Sequence, residues 1–118
     1  MKNYIKTYLH AINDKLKNNN TSEHFFRSPL ETLLKETTGY SVINEARQID
    51  CGKPDLTLLK NNIPVAFVET KDIDKNISKP NKSEKKQFER YKNDLDNLII
   101  TNYLKFQLFN GTPARERS

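Results

Sequence analysis

The stretch "KPDLTLLKNNIPVAFVETKD", residues 53–72, decides the fold and holds the chemistry. It reads as a β-hairpin: turn residues around Pro54, an extended "DLTLL", a turn at "KNNI", and a returning strand "PVAFVETK". Alternation puts Val65, Phe67, Glu69 and Lys71 on one side and Ala66, Val68 and Thr70 on the other. Asp55, Thr57 and Leu59 share a face of the first strand. A turn around Asn61 and Asn62 then brings Asp55 toward the far end of the Glu69 strand. Three charges so placed follow an apolar run. At the edge of a core they cost free energy unless they pair or bind a cation.

Two carboxylates brought close repel, and a hard divalent cation removes that penalty. Mg²⁺ takes oxygen ligands, keeps several waters, and commonly uses one or two carboxylates plus a substrate phosphate. The ion also makes bound water a usable nucleophile near neutral pH and offsets charge building on a phosphoryl group. Lys71, beside Glu69, can orient that water or stabilise the transition state. These are the parts that phosphodiester hydrolysis needs.

Around the hairpin the chain alternates helical and extended patterns. Ile5, Tyr8, Leu9, Ile12 and Leu16 predict an amphipathic helix over residues 3–17. "TSEHFFR" is expected to be a turn or short helical piece that packs Phe25 and Phe26 inward. Ser28, Pro29 and Glu31 have the grammar of a helix start, so a second helix is expected from there to Gly39. "YSVINEARQ" predicts a strand that joins the hairpin in an antiparallel meander. "DIDKNISKPNKS" reads as a loop, and Phe88, Tyr91, Leu95 and Leu98 mark a third helix with Asn81 or Ser83 near its cap. "NLIIT" and "YLKFQLF" predict two more strands, joined by Asn102. The expected fold is α/β (α+β), a mixed central β-sheet flanked by helices.

With 118 residues there is room for one domain: an N-terminal helix over 1–20, a core over 21–111 and a closing 112–118 that is either a tail or a truncation point. Lys and Arg number 20 against 15 Asp and Glu, a net charge of +5 that favours a polyanionic partner. No apolar run approaches membrane-spanning length and no apolar leader opens the chain, so no membrane partner and a cytoplasmic location are expected. Cys51, the only cysteine, reads as a buried small residue rather than a disulfide or zinc ligand. No S-adenosylmethionine-binding glycine motif and no Walker motif is visible.

Pro54-Asp55, a gap and Glu69-Thr70-Lys71 resemble the signature of the PD-(D/E)xK nuclease superfamily. Gln87 and Tyr91 in "QFERY" are similar to the QxxxY motif that some branches place beside the metal. "TSEHFFRSPLETLLKE" and the segment from "ETKDIDKN" to "LKFQLFNG" resemble the N-terminal nuclease domain of single-chain restriction-modification enzymes fused to a DNA adenine methyltransferase. The likeness covers roughly residues 20–111.

It implies a restriction-endonuclease-like core acting as a Mg²⁺-dependent DNA endonuclease, with Mn²⁺ able to substitute and a methyltransferase or translocase module as partner. Asp55 and Glu69 are then metal ligands, Lys71 and Gln87 act in catalysis, Glu23 is a further metal ligand and Tyr91 supports the site. Lys75, Lys79, Lys82, Lys85 and Lys86, clustered after the site strand, are candidates for phosphate contact. Asp50, Asp72, Asp74, His10 and His24 are set aside, and capping accounts for Glu31. The rival readings are a catalytically silent basic docking domain for DNA or protein, and a structure-specific nuclease of the junction-resolvase type.

Overall fold

The computed structural model describes residues 3–17, 23–44, 54–95 and 97–110, and of these the side chains of residues 23–25, 93 and 94 are not described. In chain order it contains α1 (Tyr4–Lys17), α2 (Glu23–Thr38), β1 (Ser41–Asn44), β2 (Leu56–Lys60), β3 (Ile63–Thr70), α3 (Lys82–Asp94), β4 (Asn97–Thr101) and β5 (Phe106–Asn110). The strands form one five-stranded sheet in the order β1-β2-β3-β4-β5.

The hairpin closes where expected. Asn61 and Asn62 both adopt left-handed backbone angles, φ 53° and 67°. Asparagine tolerates that region, and two such residues match the twist of the flanking strands. The register runs Leu56↔Val68, Thr57↔Phe67 and Leu58↔Ala66, then shifts between Leu58 and Leu59, where Pro64 enters the ladder without an N–H to donate. β1 pairs antiparallel with β2, completing the meander. β3 and β4 run parallel, which requires a crossover, and the 71–81 loop with α3 supplies it. β5 returns antiparallel to β4, so the sheet is mixed.

Alternation along the strands divides the core in two. Leu56, Leu58 and Val68 pack with Tyr8 and Ile12 of α1 and Phe26, Leu30 and Leu34 of α2. Leu98 and Ile100 pack with Ile77 and with Phe88, Tyr91 and Leu95 of the α3 segment, and Phe67 joins them. Helices therefore cover both faces, α1 and α2 on one and α3 on the other. This is the mixed, helix-flanked sheet expected of a restriction-endonuclease-like core.

Four local expectations are corrected. α2 starts at Glu23 and runs through Ser28-Pro29 instead of beginning there. Pro29 removes one helical hydrogen bond but has a helical φ, and burying Phe26, Leu30 and Leu34 along one stripe offsets that loss. α3 ends at Asp94 because Leu95 is already extended (φ −117°, ψ 136°), so Leu98 belongs to β4. The last strand begins at Phe106 rather than Tyr103: Tyr103 has φ 77°, and Asn102 Oδ1 accepts the N–H groups of Leu104 and Lys105, closing a turn. Of the expected apolar stripe on α1, Ile5 and Leu9 are exposed, and only Tyr8 and Ile12 are fully buried. The Tyr8 hydroxyl donates to the Tyr103 carbonyl at 2.6 Å and pins α1 to that turn. Burial raises the tyrosine's pKa, reinforced by Tyr103.

Candidate active site

The apolar run of β3 ends in Val68-Glu69-Thr70, and all three residues are buried. Glu69 is only 5 % exposed. The parallel ladder continues one step beyond the strand, with the Lys71 N–H donating to the Thr101 carbonyl at 2.8 Å. The backbone thus stays extended, and Lys71 falls on the Glu69 side. Lys71 Nζ lies 3.7 Å from Glu69 Oε2, donates to Gln87 Oε1 at 3.0 Å and stands 5.6 Å from the centre of the Phe88 ring. Gln87 Nε2 donates to Glu69 Oε2 at 2.8 Å. One amide on α3 thus bridges the acid and the base of β3, using its donor on the carboxylate and its acceptor on the ammonium. The buried carboxylate is compensated at short range, as its desolvation demands.

Continuing the β2–β3 register one step past Leu56↔Val68 sets Asp55 opposite Glu69 at the same end of the sheet. Their anchors differ. Asp55 Oδ2 accepts the Thr70 N–H at 2.7 Å and the Thr70 hydroxyl at 2.9 Å. Asp55 Oδ1 accepts from Arg27 Nη2 at 2.9 Å. Arg27, 6 % exposed on α2, also donates from Nη1 to Asn44 Oδ1 at 3.1 Å. Asp55 is therefore held from the α2 layer and from the edge of β3, and Glu69 from the α3 layer. Among the described residues no cluster of three or more Asp, Glu, His or Cys side chains gathers. Among the described residues, the acidic donors at this sheet end are Asp55 and Glu69.

The other expected site residues fall as follows. Glu23 opens α2, but its side chain lies outside the described residues, as does that of His24. Cys51, expected only as a buried packing residue, and Asp50, set aside above, lie outside the described residues altogether. Tyr91 is buried in the core beneath α3. Lys75 Nζ lies 3.4 Å from Glu84 Oε2, which ties the crossover loop to the first turn of α3. Lys79, Lys82, Lys85 and Lys86 are exposed, and no ion pair holds them among the described residues.

The helix that carries Gln87 is firmly started. Asn81 Oδ1 accepts the Glu84 N–H, and the Glu84 carboxylate accepts the Asn81 N–H, each at 2.9 Å. Desolvation pushes the Glu84 pKa up, but the Asn81 N–H and Lys75 together outweigh it and leave the carboxyl below its ordinary value.

Sequence reasoning did not single out Arg27, Thr70 or Asn44. Arg27 carried a usable signal: it stands among Phe26, Leu30 and Leu34 on a buried helix stripe, where a charge requires an acid. Thr70 carried a weaker one, as a polar residue on the opposite face from Glu69. Asn44 carried none.

No family model and no curated protein matches the sequence. Among solved structures, a chain of the DrdV–DNA complex determined by cryo-electron microscopy matches with a TM-score of 0.71 and 21 % identity, over 93 % of this chain and 81 % of that one. At this identity the likeness shows a shared fold.

Proposed function

We propose that this chain is a Mg²⁺-dependent endonuclease domain that hydrolyses phosphodiester bonds in DNA, of restriction type and related to the PD-(D/E)xK nucleases. The observation that carries the reading is the Glu69–Gln87–Lys71 bridge, set opposite Asp55 at one end of the sheet. The shared fold with a chain seen in complex with DNA supports the choice of substrate, as does the net charge of +5.

The residues present suit the ion that the resemblance implies. Asp55 and Glu69 offer hard oxygen donors without a closed protein cage, the arrangement in which Mg²⁺ retains waters and accepts substrate phosphate. Those two side chains would hold it, and Glu23 is carried over as a third ligand from the resemblance alone. When bound, the ion supplies a nucleophilic water near neutral pH and offsets charge on the phosphoryl oxygens.

The chain's own groups do the rest. Gln87 Oε1 fixes the Lys71 ammonium, and Gln87 Nε2 fixes one oxygen of Glu69. Lys71 can then orient the attacking water or donate a hydrogen bond to the phosphoryl oxygen as negative charge grows there. Exposed Lys79, Lys82, Lys85 and Lys86 draw the DNA backbone toward this sheet end. A methyltransferase or translocase module would supply target choice. The test is incubation of supercoiled plasmid with the protein and Mg²⁺ or Mn²⁺. Nicking or linearisation is expected from the wild type and not from Glu69→Ala. Equal cleavage by both proteins overturns the assignment.

A further inference from the structure

The donors around Asp55 are arranged in a way that the acid–acid–lysine pattern does not explain. A carboxylate offers about four acceptor directions. At Asp55, Oδ2 receives both the N–H and the hydroxyl of Thr70, and Oδ1 receives Arg27 Nη2. We infer that Arg27 and Thr70 are positioning residues for the cation site, which together orient Asp55 so that it meets a divalent cation through the remaining direction on Oδ1. This inference rests on the proposed metal role of Asp55.

Three features make the orientation stiff. The Thr70 N–H belongs to a strand whose next residue, Lys71, is still bonded to Thr101, so that donor cannot drift. Arg27 is buried and forked between Asn44 and Asp55. Withdrawing it would strand a desolvated charge, so it stays with the carboxylate. Finally, the three donors reach Asp55 from two elements, α2 and β3, which fixes the carboxylate plane as well as its position. A ligand ordered in advance spends less of the binding free energy on its own ordering. Outer partners of this kind are worth about 10–100-fold in metal affinity.

Arg27 also repels an incoming cation, and a test must separate that effect from positioning. Thr70→Val and Arg27→Lys both preserve net charge. Thr70→Val deletes the hydroxyl donor, and Arg27→Lys keeps the charge while breaking the fork between Asn44 and Asp55. The measurement is Mn²⁺ binding to the whole chain without DNA, read from the electron paramagnetic resonance of free Mn²⁺, with thermal melts for each variant. Thr70→Val and Arg27→Lys are expected to bind about 10-fold more weakly with cooperative melts, and Thr70→Ser like the wild type. If one variant fails to melt cooperatively, the other decides, and the valine–serine contrast excludes a general loss of fold. Wild-type affinity in Thr70→Val and Arg27→Lys, with Asp55→Ala still impaired, overturns the positioning roles alone. Unimpaired binding by Asp55→Ala removes the metal role of Asp55, and this inference with it.

Discussion

The side-chain amide of Gln87 donates to Glu69 Oε2 at 2.8 Å, and so α3 grips β3 where the strand passes from apolar to charged residues. The same amide accepts Lys71, so a single side chain sets the spacing of acid and base. Gln87→Leu keeps the volume and removes both bonds. It is expected to lower stability by about 1.5–3 kcal/mol, the range for hydrogen bonds to charged groups, measured by urea unfolding at neutral pH. Unchanged unfolding would mean that the bridge is slack in solution.

Lys71→Met separates charge from packing, because the methionine stem still reaches over Phe88. Single-turnover cleavage by the folded variant should fall by about 10²–10⁴-fold, the usual contribution of a positioned proton-transfer group, while the melt stays cooperative with a lowered midpoint, because buried Glu69 loses its counter-charge and Gln87 one of its bonds. Equal loss of fold and activity would reduce Lys71 to a structural partner of Glu69.

The basic residues of α3 should not contribute equally. At about 100° per residue, Lys86 lies on the flank that carries Gln87, whereas Lys85 shares the far flank with Lys92. Lys92 Nζ is 4.6 Å from the centre of the Phe109 ring, away from the site. Lys86→Ala should reduce the slope of log affinity for duplex DNA against log salt by about 1, with a smaller change for Lys85→Ala. Fluorescence anisotropy across a salt series measures both, and identical slopes would place the DNA elsewhere.

Acid should loosen α3 from its N-terminus. The Glu84 carboxyl is held below its ordinary value of 4.5 in the folded chain, so its contribution to stability is fully present above that value. The contribution is lost as pH falls through the lower folded pKa. Glu84→Gln keeps a hydrogen-bonding side chain without the charge, and should flatten the stability–pH curve below pH 4.5. Denaturant midpoints from pH 3 to 7, compared between the two proteins, read this out. Parallel curves would contradict it.

The site's two strands were legible because their determinants are local. Period-two alternation fixes which side Glu69 and Lys71 share, and Asn61-Asn62 sets the register that brings Asp55 alongside. Gln87 was singled out by its likeness to the QxxxY motif, with helical spacing placing it and Tyr91 on one face of α3; periodicity alone left it as helix surface. The start of α2 was misread because Ser28-Pro29-Leu30-Glu31 meets every local rule for a cap, while burial of Phe26, Leu30 and Leu34 favours one continuous helix. The Arg27–Asp55–Thr70 contacts join α2, the start of β2 and the end of β3, residues separated by up to 43 positions. No single window of sequence contains that relationship, and only the packed layers create it.

The most direct measurement is anomalous diffraction at the manganese edge from crystals of the chain soaked in Mn²⁺. A peak is expected, coordinated by Asp55 Oδ1 and the Glu69 carboxylate, with Lys71 Nζ beside it. A fully soaked crystal with no density between those carboxylates, or with the ion bound at another cluster, would contradict it.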